Sequence, residues 1–425
     1  MRRTLVVPIA AGLTFAFFSA AFWGERSNRA GLALAQDSSK AAERHPISLD
    51  RPPVRVVEDT YATFHGIAID PVRGEVFMTN NNRGATPSIQ AYPEEFEATE
   101  KVMEPRRRIA GPNAHLGDVC SLTISPEARE MFYVNNDGGD NMGVFPLDAT
   151  GEITPARELN VPHGAWGVYL EPKADELFIS VEHVNRIVVY PRTAVKDDAP
   201  LRSIQGPHTE LADPHGIYAD AERNEIYVAN HGHWRQTKIG EGYALFGDGR
   251  WAQMRGSQSH RGIPESLEPS TGKFVPPSVT VYPRTGNGDL TPLRMIAGPK
   301  TGLNLPLGIF VDTVSHQLVV ANSGDDSVLF FDQNAGGDVA PVRVLKGPAT
   351  HLKSPTGVYV ETKHNELWVT NWDDHSATVY PRTAAGNAAP IRAIRSAAKG
   401  TPSVGFGTPG AIAYDAKRKE ILVPN

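Results

Sequence analysis

The chain is expected to fold as an all-β, seven-bladed β-propeller of four-stranded blades. Three features predict this. A sixteen-residue pattern recurs seven times without internal gaps, in HGIAIDPVRGEVFMTN (65–80), CSLTISPEAREMFYVN (120–135), WGVYLEPKADELFISV (166–181), HGIYADAERNEIYVAN (215–230), LGIFVDTVSHQLVVAN (307–322), TGVYVETKHNELWVTN (356–371) and GAIAYDAKRKEILVPN (410–425). Copies are followed by two further short runs, of the types SVTVYPRT (278–285) and Pro-x-Arg (Pro292–Arg294). The runs are rich in β-branched and aromatic residues and are separated by Gly, Pro, Asp and Asn, so each unit reads as four strands; a period of roughly 45–55 residues with four strands is a propeller signature.

Within a copy, the first run starts the blade at the central channel, the charged turn (DPVRGE, DAERNE) reverses the chain, and the second run ends in Asn in six of the seven copies. Asn80, Asn135, Asn230, Asn322, Asn371 and Asn425 read as turn caps, because an Asn side chain hydrogen-bonds nearby backbone. The Tyr-Pro-Arg-Thr corners at Arg192, Arg284 and Arg382 recur almost unchanged, which suits loop-tying better than chemistry. The last copy stops after two strands, and HPISL (45–49) with PVRVV (53–57) supplies two more. The expectation is therefore a ring closed by N- and C-terminal strands sharing one blade, which removes an open sheet edge.

The bulk composition agrees with a folded, non-nucleic-acid-binding protein. The chain has 425 residues, a formal net charge of −6 and 40% hydrophobic residues. It carries no basic cluster for a nucleic acid to occupy. Cys120 is the single cysteine, so no intramolecular disulfide exists, and no C-x-x-C-H run is present to attach haem. Arg2 and Arg3 precede an apolar run over 5–23, and Ala33-Leu34-Ala35 offers a cleavage site. Residues 1–35 thus read as a signal peptide or, given the length of the run, as an N-terminal membrane anchor. Either places the body, residues 36–425, outside the cytoplasm, in the periplasm or extracellular space.

The run Ile226–Asn230 resembles the YVTN repeat, as do Phe132–Asn135 and Trp368–Asn371, and the Pro-x-Gly-Ile-x-x-Asp openings are similar to NHL-type and lactonase-like propellers. The resemblance spans the chain beyond residue 45. It implies the fold and leaves activity open, since such propellers include lactonases, lyases, surface-layer proteins and binding modules.

Candidate functional residues lie on the face that receives the loops leading into each first strand and the loops between second and third strands, called the top. The ring of positions opening the first strands reads His65, Cys120, Trp166, His215, Leu307, Thr356 and Gly410. It varies from copy to copy, as a ligand-specifying channel mouth would. Ten of the fourteen histidines map to this face, among them His163, His183, His231 and His233, with carboxylates at Asp118, Asp137, Glu182, Asp325, Asp326, Asp373 and Asp374. The ligand-binding candidates are His65, Cys120, His163, Trp166, His215, His231 and His233. His65, His163 and His215 are the candidate ligands for a divalent metal; imidazoles that simply hydrogen-bond loop backbone, or an organic ligand, are the competing readings. Residues 232–277 form an insertion in the fourth copy, on the same face. Its Trp234 and Trp251 suggest a lid or docking arm.

The expected function is binding or scaffolding through the top face, of a small polar ligand, a glycan or an envelope protein, with membrane contact only through the N-terminal anchor. The alternative is a metal-assisted lactonase or lyase at the channel mouth.

Overall fold

The computed structural model describes residues 60–82, 85–98, 101–232, 275–401 and 403, with the strand residues 413–415 and 420–422. The chain divides into two compact units, Met1–Val56 and Val57–Asn425. The first unit, including the 1–35 segment and the strands expected at 45–49 and 53–57, lies outside the described residues, as do His233, Trp234 and Trp251.

Blade 1 consists of β1 (Phe64–Asp70), β2 (Glu75–Asn80), β3 (Ser88–Pro93) and β4 (Arg107–Ala110). Blade 2 has β5 (Val119–Ser125), β6 (Glu130–Asn135), β7 (Asn141–Pro146) and β8 (Arg157–Asn160). Blade 3 has β9 (Ala165–Glu171), β10 (Glu176–Val181), β11 (Arg186–Pro191) and β12 (Arg202–Ile204). Blade 4 has β13 (Pro214–Asp220), β14 (Glu225–Asn230), β15 (Ser278–Pro283) and β16 (Arg294–Ala297). Blade 5 has β17 (Pro306–Asp312), β18 (Gln317–Asn322), β19 (Ser327–Asp332) and β20 (Arg343–Lys346). Blade 6 has β21 (Pro355–Glu361), β22 (Glu366–Asn371), β23 (Ser376–Pro381) and β24 (Arg392–Arg395). Each blade is an antiparallel meander in chain order, and each outer strand starts at the Arg of a Pro-x-Arg run. The four-strand reading of the repeat is thus correct.

The blade count is not. The protein is a six-bladed propeller, because the ring closes between blade 6 and blade 1. The Thr356 and Thr370 hydroxyls of blade 6 donate to the His65 carbonyl of blade 1, at 3.1 and 2.7 Å. A hydrophobic cluster unites Phe64, Met78 and Tyr92 of blade 1 with Trp368, Val379 and Ile394 of blade 6. The other five blade interfaces hold comparable clusters. The seventh copy instead forms a separate hairpin, β25 (Ala413–Asp415) with β26 (Glu420–Leu422), paired with no blade among the described residues. Counting copies overestimates blades because closure depends on how closely the inner strands can approach, which glycine sets. A Cβ on Gly357 would lie 2.6 Å from the His65 carbonyl oxygen, and one on Gly216 would lie 2.3 Å from the Leu307 carbonyl oxygen.

Two devices join blades at their periphery. The Arg that opens each outer strand holds the acidic or amide residue opening the second strand of its own blade, and also donates to a carbonyl of the next blade. Arg202 binds both Glu176 oxygens, at 2.9 and 2.8 Å, and the Arg284 carbonyl. Arg392 binds both Glu366 oxygens and reaches across the closure to the Glu94 carbonyl at 3.0 Å. The Tyr-Pro-Arg-Thr arginines reach the preceding blade: Arg192 binds Glu130 and Arg284 binds Glu176. Their loop-tying role is therefore real. The third-to-fourth-strand loop of each following blade also adds a parallel bridge to the outer strand before it, as in Ile109 with Gly151 and Leu345 with Gly386. At the closure Met103 donates to the Arg395 carbonyl at 2.8 Å. Outer edges are thus paired, which blunts edge-to-edge aggregation.

Gly357→Ala is expected to lower stability by about 1–3 kcal/mol, because two backbones already in contact must part at the ring closure. Denaturant unfolding of the two proteins measures this; an unchanged midpoint would mean the closure tolerates a wider ring.

Candidate functional site

The top end of every inner strand carries a register shift against its neighbour, between Phe64 and Ile67 in blade 1 and at the corresponding places in the other blades. A bulge re-aims the side chain beside it. Here it falls at the ring that the sequence singled out. His65, Cys120, Trp166, His215, Leu307 and Thr356 are all buried there. Gly410 lies outside the described residues.

A six-bladed ring makes this mouth narrow, and one indole spans it. The Trp166 ring sits edge-on to His65 at 4.8 Å and to His215 at 4.7 Å, linking opposite blades 1 and 4. Trp166 also packs with Cys120 and Leu307 in an apolar cluster. Below this plug the channel holds a cavity of about 90 Å³, lined by Ile67, Leu122, Val168, Ile217, Ile309 and Val358. Toward the bottom Tyr169, Tyr218, Phe310 and Tyr359 form an aromatic arc, with ring centroids 4.4, 5.0 and 4.8 Å apart.

His65 is held as a neutral base. Burial dominates and lowers its pKa to about 4, while its bond to the Cys120 carbonyl only partly offsets this. Its Nδ1 donates to that carbonyl at 2.9 Å, and Trp166 and Trp372 flank the ring. Cys120 is buried, which pushes its thiol pKa well above the ordinary value and leaves it protonated at neutral pH. It packs beside Trp166 and Leu307, and its Sγ accepts a hydrogen bond from Asn81 at 3.5 Å.

The ionisable groups gather above blades 2, 3 and 4. His163 Nδ1 bonds Asp140 at 2.7 Å, and its Nε2 lies 3.6 Å from Asp137 Oδ1. His183 Nε2 lies 3.7 Å from the same Asp137 oxygen and 2.9 Å from Glu182 Oε1. The other Glu182 oxygen lies 3.0 Å from His215 Nε2. His215 Nδ1 donates to the Asp213 carbonyl at 2.8 Å, and His231 stacks on His215 with centroids 3.6 Å apart. Asn136 donates to Glu182 at 2.9 Å. The result is one continuous run of imidazoles and carboxylates across three blades.

The electrostatics follow from that run. Burial opposes charge on Glu182, but hydrogen bonds from His183 and His215 outweigh it and hold the carboxyl well below its usual range. Burial likewise opposes charge on His215 and His183; for His215 the Asp213 charge and the Glu182 bond win, and for His183 the Glu182 bond wins, so both pKa values rise. Burial and the neighbouring His215 lower that of His231.

Among the described residues three groups of three hold potential metal-ligand atoms all within 4.8 Å of one another: Asp137, His163 and His183, and Asp213, His215 and His231, on this face, and Glu94, Glu361 and His364 on the bottom. The expected metal trio is therefore divided. His163 falls in one group, His215 in another and His65 in none. Asp140 and Asp213 escaped the sequence reading. Asp213 stands two residues before the ring position of its blade, in the loop whose histidine drew attention. Asp140 lies three residues beyond Asp137 in the same loop, and only the fold turns it toward His163. Elsewhere on this face His115 bonds Glu158, His208 bonds Asp289 and His375 donates to the Ala62 carbonyl, each pinning a loop. The strand-ending asparagines are caps, as expected: Asn135 Oδ1 accepts from Gly117 and Asn322 Oδ1 from Asn304.

The base of the insertion is visible where the chain leaves and rejoins blade 4. Gly232 packs so closely on Val275 and Pro276 that a Cβ there would meet the Val275 carbonyl oxygen at 2.4 Å.

No family model matches the chain, and no curated protein matches it. Among solved structures, a chain from a crystal structure of a nidogen/laminin complex is similar, at 14% identity and a TM-score of 0.45 over 79% of this chain and 93% of that one. Such a likeness transfers neither ligand nor activity.

The neutral His65 makes stability pH-dependent in a definite direction. Its folded pKa of about 4 lies below the value of 6.5 for a free imidazole. Its contribution is fully present above pH 6.5 and is lost as pH falls from 6.5 toward 4, by about 3 kcal/mol at ~1.4 kcal/mol per unit. Denaturant unfolding of wild type and His65→Gln at several pH values should show the wild type losing that much more over this window. Parallel curves would show that His65 titrates as it does in the unfolded chain.

Proposed function

We propose that this chain is an exported β-propeller acting as a binding or scaffolding module, with its recognition surface on the top loops of blades 2–4. The observation that carries the reading is the run from Asp140 through His163, Asp137, His183, Glu182 and His215 to Asp213. The fold does not need it, because inter-blade clusters and the Arg192–Glu130 and Arg284–Glu176 pairs already join the blades. Crowded, perturbed ionisable groups are costly, and they concentrate at functional sites. The Trp166 plug also favours recognition at the surface over passage through the axis. A polar ligand with cationic or hydrogen-bond-donating groups suits four carboxylates on one patch. Export is supported by Arg2, Arg3, the 5–23 apolar run and Ala33-Leu34-Ala35. The resemblance of the repeats to YVTN and NHL-type propellers is compatible with such a module.

A second reading, a metal-assisted lactonase or lyase, draws on the Asp137, His163 and His183 group.

Calorimetric titration of a panel of amines, amino sugars and aldonolactones, with mass spectrometry of each mixture, tests both. The expected result is saturable binding without product. Binding should be lost in Glu182→Gln/His215→Gln and kept in the bottom-turn variant Lys173→Gln. Product formation abolished by the same double variant would put the enzyme in its place. Binding indifferent to the double variant would move recognition off this face.

A further inference from the structure

We infer that Asp137, His163 and His183 form a site for one divalent transition-metal ion, oriented from outside by Asp140, with coordination positions open toward solvent. This inference deepens the recognition reading of the same face.

The separations within the trio suit a metal ion once His183 Nε2 leaves its 2.9 Å contact with Glu182. Bonds of about 2.0–2.1 Å place neighbouring ligand atoms about 3.3–3.4 Å apart in tetrahedral geometry. Asp137 Oδ1 lies 3.6 Å from His163 Nε2 and 3.7 Å from His183 Nε2. Those distances are long for hydrogen bonds and need only a few tenths of an ångström of contraction around an ion.

The orientation of His163 is the second argument. Its Nδ1 is engaged by Asp140 at 2.7 Å, and both side chains are over nine-tenths buried. A metal-ligating histidine typically gives its far nitrogen to such a carboxylate, which fixes the tautomer and leaves Nε2 as the ligand atom. Here that Nε2 faces Asp137. Exposure then rises across the trio, from 9% for His163 to 24% for His183 and 42% for Asp137. Three protein ligands with one open side describe an exchangeable or substrate-accepting site, not a closed structural one. Glu182 stands beside it, 2.9 Å from His183 Nε2, where it would face the metal's neighbourhood once that nitrogen turned to the ion.

The other two clusters lack these features. In the Asp213 group, His215 Nδ1 is committed to the Asp213 carbonyl, its Nε2 faces Glu182, and its ring stacks flat on His231. On the bottom, His364 Nδ1 lies 3.0 Å from both Glu94 and Glu361, while Glu361 already accepts the backbone amides of Lys363 and His364 within its turn. Two imidazoles with a carboxylate suit zinc or iron(II), whereas calcium prefers six or more oxygens.

The test uses the full chain without a polyhistidine tag, stripped with chelator and titrated with Co(II) alone, then with Zn(II) as competitor. One equivalent of Co(II) should bind with ligand-field absorption in the visible, and Zn(II) should displace it while Ca(II) does not. His183→Gln and Asp137→Asn should abolish the absorption. Asp140→Asn should keep it while weakening affinity about 10–100-fold, as expected for an orienting partner. His65→Gln should bind like wild type. Asp137 is substantially exposed, so its variant remains informative if a histidine variant fails to fold. Substoichiometric Co(II) in the wild type, or binding unaltered by Asp137→Asn and His183→Gln, overturns the site. Repeating the amine and lactone panel on stripped and on Co(II)-loaded protein separates the two ideas. Ligand binding without Co(II) uptake overturns the metal site and leaves recognition standing; Co(II) uptake with no panel response from either the stripped or the Co(II)-loaded protein upholds the metal site and removes the recognition reading.

Discussion

The close approach of six inner strands to one axis is the constraint on which the rest of this structure depends. Five of the six blades have glycine at this layer, Gly66, Gly167, Gly216, Gly308 and Gly357, where a Cβ would lie 2.3–2.9 Å from the neighbouring blade. Blade 2 has Ser121 at this layer, and its hydroxyl accepts from the Val168 amide of blade 3. With backbones this near, the ring closes at six and the mouth is small enough for Trp166 to bridge it. The polar groups that could have lined an open channel are then carried by the loops above.

Strands held only at the axis would splay outward, and the bottom arginines prevent this. Arg202, Arg294 and Arg392 each satisfy a carboxylate of their own blade and a carbonyl of the next. These pairs are largely shielded from water, and removing one member leaves a charge without compensation, which typically costs about 3–5 kcal/mol. Several guanidinium groups also lie over aromatic rings, Arg343 at 3.4 Å from the Phe330 centroid and Arg294 at 5.7 Å from that of Tyr227. The same residues thus serve packing, charge pairing and blade order. That explains why Pro-x-Arg recurs in the sequence with so little variation.

Recurrence is what made the fold readable and what hid the site. A feature present in every blade marks strand ends reliably, so the strand starts at Arg107, Arg157 and Arg392 and the caps at Asn135 and Asn322 could be placed from sequence. Blade number could not, because a seventh copy signals a seventh hairpin and says nothing about whether that hairpin joins the ring. The functional candidates carry the opposite problem. They sit where copies differ, so no pattern ties His163 to Asp140 or Glu182 to His215; those partners come from different blades and meet only after the ring has formed. Sequence position grouped His65 with His215 because they share a repeat position. Space groups His215 with Glu182 and leaves His65 neutral behind Trp166.

This contrast bears on why blades 2–4 hold the site. In blade 3 the strand-ending Asn is replaced by Val181, and the next residue is Glu182. The equivalent next positions are Asn81, Asn136, His231, Ser323 and Trp372 in the other blades. The Asn side-chain cap is missing from this corner, the Glu182 amide still donates to the Gly164 carbonyl at 2.9 Å, and the Glu182 side chain binds imidazoles of blades 3 and 4. Asn136 of blade 2 then bonds Glu182, which ties a third blade into the same network. The one blade that lacks the strand-ending Asn is thus the one whose next residue is the hub of a polar cluster. Its neighbours gain charge stabilisation only while Glu182 stays ionised, and Glu182 stays ionised because the two histidines hold it so. The cluster is mutually dependent and spans three blades, so a ligand or ion bound at any one member shifts the balance for all the others.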